Sequence, residues 1–515
     1  MASGSADVGP DHVSATVCRA IRRLVSEIGP ETSKKIAALG ISTIFGYVFL
    51  DTNDRPVGGA TTWLDARATV EAAALGELLS PDAGGTSDAG VTSGVTTQAA
   101  GPGAGAGTGV HNHRLLRLIE ITGRRPSAEW LAPLLLWHRY HQPDRLEKTV
   151  SIVGLKDEMV RRLTGVLGTD FAHQDYSMLY DISRGEPSME IAEALAEDGT
   201  RARSAGHAHS RPRPPEKLIR EATPAQAPAG PLQAVVATDL GLPSGIPVCR
   251  GSSDGTAAMY GAGVLRSAGT ALVAGTTDVA MRYIESVGSG AFGAGNGAPA
   301  ESLAGSGLNV NRGMEGGFLV GGATASSSRA VELVCGWLGI KPHEAFKALE
   351  EQLASEAGSN RPARPAPLCF PGFFGERAPY WDDHLAGSIV GLRPDHRPVD
   401  ILRGVIEGTG HRIGVLLRDL GAGDCVSVTG GGALAAWNQL RADTLGVPVK
   451  ELAQPEATTI GTAMFCRSMI EDTPLLALTP GLFEKAVDYQ PRHREYHVQR
   501  RKQFASLIAV SRLED

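Results

Sequence analysis

No stretch of this chain is apolar for long enough to cross a bilayer. The longest such run lies near residues 41–50, against the ~18–20 residues that a spanning helix needs. The opening Met1-Ala2-Ser3-Gly4-Ser5-Ala6-Asp7 carries neither the basic start nor the apolar segment of a secretory signal. A basic surplus is also missing. Lys and Arg number 49 against 56 Asp and Glu, a net charge of −7, which argues against nucleic acid or an anionic membrane as the main partner. The six cysteines (Cys18, Cys249, Cys335, Cys369, Cys425, Cys466) lie far apart with no C-x-x-C pair, so free thiols in a reducing compartment are expected rather than a metal site or disulfide set. No G-x-x-x-x-G-K-[ST] occurs, which excludes a Walker-type phosphate loop. These absences point to a soluble, cytoplasmic protein.

At roughly 100–200 residues per domain, 515 residues imply two or three domains. A hydrophobic fraction of 42% is ample for their cores. Glycine (64) and proline (31) exceed their usual combined share of roughly 12%, as many tight turns and some low-complexity loop would require. Val13, Val17, Ile21, Leu24, Val25 and Ile28 fall at helical spacing and predict an amphipathic helix over 12–28. Two β-runs at 35–41 and 46–50 follow, then a turn at 51–55. Residues 81–110, almost devoid of large apolar side chains, read as a disordered insertion. Its G-P-G-A-G-A-G is no dinucleotide fingerprint, because no strand precedes it and no apolar helix follows.

The span 128–165 reads as helical, with Trp130, Leu131, Leu134, Leu135 and Trp137 on one face. The span 199–230, with Arg201, Arg203, Arg211 and Arg213, reads as a solvated linker, and the pairs His111/His113 and His207/His209 as surface loop. Beyond Pro243 the texture changes. Short β-rich runs (246–250, 271–274, 317–320, 426–429) end in glycine turns and alternate with helical stretches at 328–337, 343–355, 399–420 and 436–445. That is an α/β pattern with ligands at strand ends. A second Gly/Ala-rich insertion covers 288–307.

Three glycine turns concentrate the candidate chemistry: Gly251-Ser252-Ser253-Asp254-Gly255, Gly275-Thr276-Thr277-Asp278 and Gly430-Gly431-Gly432-Ala433. Glycines there let backbone N–H groups approach phosphates, and the Thr276 and Thr277 hydroxyls add donors. One such turn is usually only a turn; three at strand ends in one half of the chain favour a nucleotide site. Asp254 is placed either to accept a proton from a substrate hydroxyl or to cap a helix, and local pattern alone leaves both readings open.

In this order the turns resemble those of the FGGY family of carbohydrate kinases, within the actin-like ATPase superfamily. Trp63-Leu64-Asp65-Ala66-Arg67 resembles its W-x-D-x-R, and Lys156-Asp157 with Leu163-Thr164-Gly165 its K-D…L-T-G helix. The stretch from Gly241-Leu242-Pro243 to Gly251 and Asp254 resembles the segment that delivers the catalytic aspartate. Gly275-Thr276-Thr277 resembles its G-T-S phosphate turn, Gly375-Glu376-Arg377-Ala378-Pro379 with Trp381 its G-E-R-x-P-x-W, and Gly387 through Gly391-Leu392 its G-x-x-x-G-L. Gly430-Gly431-Gly432-Ala433 with Trp437, Gln439, Ala442 and Asp443 resembles the adenine-side signature.

The resemblance implies an α/β chain of two actin-like ATPase (ribonuclease H-like) domains around a cleft, with a sugar-binding domain over 1–264 and an ATP-binding domain over 265–515. It implies ATP and Mg²⁺, and Asp254 as general base. Phe45, Trp63, Asp65, Arg67 and Asp254 would face the sugar; Gly275, Thr276, Thr277, Gly322, Gly430, Gly431, Gly432 and Gln439 would serve ATP. The metal ligands are not identified. The expected partner is a small-molecule carbohydrate of ketopentose or gluconate type, neither nucleic acid nor membrane, and a homodimer is compatible.

Three departures from the family pattern stand out. Nothing resembling its first D-x-G-T-[ST] strand pair precedes the helix at 12–28. Ile44-Phe45 stand where a Met-His pair is usual, which suggests a less polar sugar pocket. The loop Leu434-Ala435-Ala436 lacks the usual small polar residue. The rival expectation is therefore a relative that binds sugar or nucleotide without turnover.

Overall fold

The computed structural model describes residues 4–78, 109–204, 218–266, 269–285 and, apart from 357, 360, 363, 419 and 422, residues 306–512. The predicted insertions lie largely outside these, but 109–110 and both His111 and His113 belong to a helix, Gly109–Thr122, rather than a loop. Arg201 and Arg203 likewise fall in the helix Met189–Ser204. No described helix is long and apolar enough to cross a membrane.

The C-terminal half is organised by a seven-stranded sheet. Its spatial order is Asn309–Arg312, Phe318–Ala323, Asp278–Ile284, Gly269–Ala274, Cys425–Thr429, Val449–Glu451 and Val487–Tyr489. Gly269–Ala274, Cys425–Thr429 and Val449–Glu451 run parallel, and antiparallel strands flank them. The two central strands are Val-, Leu- and Ala-rich because helices screen both faces from water. One packed layer joins Val331, Leu349, Leu402, Ile406, Trp437 and Leu440.

Described strands of the N-terminal half pair mostly in twos. Tyr47–Leu50 runs antiparallel to Ser151–Gly154, and Ser42–Thr43 parallel to Ser252–Ser253. The predicted strand at 35–41 is reduced to one bridge, in which the Leu39 N–H donates to the Pro247 carbonyl and its own carbonyl accepts from Cys249. The helix Pro10–Ile28 forms as expected and lays Val13, Val17, Ile21 and Val25 on a core containing Leu163, Ala237 and Leu240. The predicted continuous helix over 128–165 is corrected. Leu131–His141 stops before Pro143, and the β-branched Thr149, Val150, Ile152 and Val153 favour the strand Ser151–Gly154 before the helix Leu155–Thr164 begins.

The halves are joined by a crossing of two helices, Asp254–Gly261 and Ala457–Glu471. A Cβ on Gly261 would strike the Ala457 carbonyl, and one on Gly461 the Ala257 carbonyl, so only glycine permits this approach.

A buried polar cluster ties the C-terminal helix Arg494–Val510 to the helix Pro398–Leu416. Arg403 bridges Glu407 (2.8 Å) and Glu356 (2.9 Å), with His411 and His497 alongside. Burial depresses His411 to about 3 and His497 to about 4. Burial alone would raise Glu407, but Arg403, with His497 and Arg500, holds it down to about 2. All three groups bind fewer protons folded than unfolded, so each loses its stabilising contribution as pH falls. For the histidines the loss begins near their ordinary 6.5. Thermal unfolding across pH 7 to 4.5 is expected to show a falling Tm, with a shallower slope in His411→Leu; equal slopes would contradict this account.

Candidate active site

Two of the three glycine turns are neighbours because the strands that end in them are neighbours. Gly269–Ala274 and Cys425–Thr429 run in register to Val273 opposite Thr429. Beyond that pair, the Gly432 N–H donates to the Ala274 carbonyl (3.0 Å), and the Gly275 N–H to the Thr277 carbonyl (3.0 Å). Gly430 has φ +99°, and a side chain there would collide with the Ala274 carbonyl. Glycine is therefore imposed by close backbone approach.

Gly275, Thr276, Gly431 and Gly432 form one wall of a cavity of about 680 Å³. The rest of the lining includes Ser328, Phe346, Lys347, Leu434 and Trp437 with Glu332, His343 and Glu350, and Phe346 stacks on Trp437 with ring centroids 5.8 Å apart. Thr277 and Gly430 belong to the same turns but are not among the lining residues. Two expected nucleotide residues are not brought to this wall. The Gln439 amide donates to Asp443 and to the Gln490 carbonyl (both 2.8 Å), and Gly322 lies inside a strand opposite Ala280, closely facing Ala378. Phe346 and Lys347 carried no motif; in sequence they sit in an ordinary amphipathic helix.

The remaining turn delivers Asp254. Ser252–Ser253 pairs with Ser42–Thr43, and the Ser253 hydroxyl caps the helix Asp254–Gly261 by accepting from the Thr256 N–H. With Ser253 as the N-cap, the Asp254 carboxylate is left over. Its Oδ1 accepts from the Gly255 N–H (2.7 Å), it is half-buried, and burial raises its pKa above the usual carboxylate value. Behind it lies a fully buried network. Lys156 contacts Asp157, Asp170 (3.0 Å) and the Arg250 carbonyl (2.9 Å), and Asp170 accepts from Ser252 (2.6 Å) and pairs with His173 (2.6 Å). Nothing in the sequence singled out His173. Among the described residues its Nε2 has no hydrogen-bond partner, and its ring stacks on Phe45.

Phe45 itself is buried among Tyr47, Trp130 and Tyr176, with centroids 4.7–5.4 Å away, and so belongs to an aromatic core. Asp65 and Arg67 are likewise turned inward. Asp65 is bonded to the Arg67 Nε (2.8 Å), Asp7 pairs with the same guanidinium (2.6 Å), and Arg67 lies over Trp137. Trp63 is 44% exposed and meets Arg377 of the other half, whose guanidinium stands 5.9 Å from its ring centre.

Models of the FGGY family of carbohydrate kinases match both halves, the N-terminal domain over residues 112–261 and the C-terminal domain over 270–469. The chain belongs to the FGGY family. Among FGGY proteins, a xylulose kinase of Bacillus subtilis is 26% identical over 355 residues, 67% of this chain and 64% of that protein. An L-fuculokinase of Salmonella typhi is 27% identical over 339 residues, 64% and 63% of the two chains. Crystal structures of xylulose kinase from Lactobacillus acidophilus (TM-score 0.76, 18% identity, 99% of this chain and 90% of that one) and of Plasmodium falciparum glycerol kinase with ADP (0.75, 15%, 100% and 92%) share the fold. The architecture is thus the actin-like ATPase fold in two domains.

The carboxylates that line the cavity are Glu332 and Glu350. Among the described residues, the one trio of His, Cys, Asp or Glu ligand atoms close enough to share an ion is Glu407, His411 and His497, none of which lines it.

If Asp65 holds Arg67 in place, Asp65→Ala leaves a buried guanidinium short of a partner and is expected to cost about 3 kcal/mol in denaturant unfolding. Unchanged stability would return Asp65 to the sugar site.

Proposed function

We propose that this FGGY protein transfers the γ-phosphate of ATP to a hydroxyl of a small sugar, polyol or sugar acid, with Asp254 as general base. The carrying observation is Asp254 itself, a half-buried carboxylate whose pKa is raised by burial and whose side chain accepts from the Gly255 N–H. Its basicity suits it to take the proton as the substrate oxygen attacks phosphorus.

Support for the donor side is the cavity walled by Gly275, Thr276, Gly431 and Gly432, whose volume suits a nucleotide. Backbone N–H groups of the two turns, with the Thr276 hydroxyl, would bind phosphate oxygens, and Phe346, Leu434 and Trp437 offer apolar surface to a base. Mg²⁺ would be held by phosphate oxygens and water rather than by a carboxylate cage. Phosphoryl transfer has a loose transition state, so the protein's work is to position the two substrates and neutralise charge. Closure of the two domains would exclude water and limit idle ATP hydrolysis. Trp63 and Arg377, which already touch from opposite halves, are the residues we assign to that closure. The relatives named xylulose kinase and L-fuculokinase support a ketose or related small carbohydrate as acceptor.

A second reading is a relative that binds sugar or nucleotide without turnover. It is favoured by the expected sugar residues Phe45, Asp65 and Arg67, which are committed to core contacts.

ADP release with Mg-ATP, measured across ketopentoses, hexuloses, polyols and aldonic acids, separates the two. Substrate-dependent release that Asp254→Asn lowers by roughly three orders of magnitude is expected. Nucleotide binding without release in any of these would establish the second reading. Because the base must be unprotonated, kcat/KM should fall as pH drops through the raised Asp254 pKa. A flat acid limb would remove Asp254 from that role.

A further inference from the structure

Cys249 and Cys466 are 217 residues apart in sequence, and their sulfurs are 3.5 Å apart. Cys249 ends the strand Pro247–Cys249, five residues before Asp254, within the N-terminal family domain. Cys466 lies on the helix Ala457–Glu471, within the C-terminal one. The contact is built rather than incidental, for Gly40 makes room for it: a Cβ there would stand 2.6 Å from the Cys466 sulfur and 3.0 Å from that of Cys249. Ser42 bonds Thr462 (2.7 Å) one turn earlier on the same helix, and Thr458 reaches the Asp254 carbonyl (3.3 Å) one turn before that. The cysteine pair is therefore the last of three successive contacts from this helix to the segments around Asp254.

We propose that Cys249 and Cys466 are a redox modification site, at which peroxide converts the two thiols into a disulfide that fastens the helix crossing and stops the domains from closing. The two sulfurs are unequal. The hydrogen bond between the two sulfurs, with the Gly251 N–H and the Lys156 charge, lowers the Cys249 pKa against the effect of burial; that of Cys466 is raised. Cys249 is thus the nucleophile and Cys466 the resolving thiol. The Cys249 thiolate attacks one peroxide oxygen, an S–O bond forms, the O–O bond breaks, and the departing hydroxide takes a proton to become water. The Cys466 sulfur then attacks the sulfenic sulfur and gives up its proton as the S–O bond breaks and a second water leaves. Two thiols are oxidised, one peroxide is reduced to two waters, and no other reactant is needed. Cys249 is fully buried and Cys466 partly exposed, so an oxidant as small as hydrogen peroxide reaches the pair from the Cys466 side.

The bond matters because of where it falls. At Gly261 and Gly461 the two crossing helices touch backbone to backbone, so they can pivot about that point, and a covalent link further along one of them removes the pivot. That consequence rests on the kinase reading; the bond itself does not.

The full-length protein, purified in dithiothreitol and desalted, is treated with hydrogen peroxide and read by intact mass and by a non-reducing peptide map. The expected result is loss of two hydrogens and a Cys249–Cys466 cross-linked peptide ahead of any other cysteine product. Turnover should drop roughly tenfold with it, nucleotide binding should persist, and dithiothreitol should restore activity. Cys466→Ser should keep its turnover in peroxide. A sulfinic acid on either cysteine in place of the cross-link, a disulfide to another cysteine, or a cross-linked enzyme of full activity would each overturn the proposal. If the reduced protein releases no ADP, the kinase reading fails, while the peptide map still decides the bond.

Discussion

Two glycines facing two carbonyls set the relation between the halves of this molecule. Where the helices Asp254–Gly261 and Ala457–Glu471 cross, neither Gly261 nor Gly461 has space for a single added carbon, and the backbones meet without intervening side chains. This close approach brings Thr458 to the Asp254 carbonyl and Thr462 to Ser42, so the segments at Ser42 and Asp254 are located from the C-terminal half. The helix Ala457–Glu471 is the next element after the sheet strand Val449–Glu451, so the seven-stranded sheet is linked through it to the helix that begins at Asp254. A contact between rigid backbones resists compression but permits rotation, and a hinge needs both properties.

The features legible in the sequence were those whose chemistry is local. A glycine turn at a strand end needs only its own few residues to be recognised, and the turns at 275–277 and 430–432 lie together because parallel strands end at the same edge. Asp254 could be named as a candidate for the same reason, though not separated from a helix cap until Ser253 was seen in the capping role. The illegible features depend on distant partners. Asp65 and Arg67 carry a sugar-side motif, yet Asp7 and Trp137 draw the guanidinium inward. Phe45 was read as a pocket residue, and the surrounding Tyr47, Trp130 and Tyr176 make it core. Gln439 matches the adenine-side signature but spends its amide on Asp443 and the Gln490 carbonyl. The apolar wall that Phe346 and Trp437 add to the cavity comes from helices more than eighty residues apart in sequence, and no spacing rule joins them.

The electrostatics separate structure from chemistry. Most buried carboxylates in this fold are committed to cations: Asp65 to Arg67, Asp170 to Lys156, Asp175 to Arg312, Glu376 to Arg412 and Glu407 to Arg403. Each carboxylate is buried, so losing its partner strands it, and that fixes these groups in place. Asp254 differs. No described cation stands within ion-pair distance of it, its side chain accepts from the Gly255 N–H, and burial raises its proton affinity without a neighbour to lower it fully. A carboxylate that accepts and releases a proton in each turnover cannot be locked to an arginine. By that requirement Asp254 stands apart from the committed carboxylates, and it is also the one the family resemblance singles out.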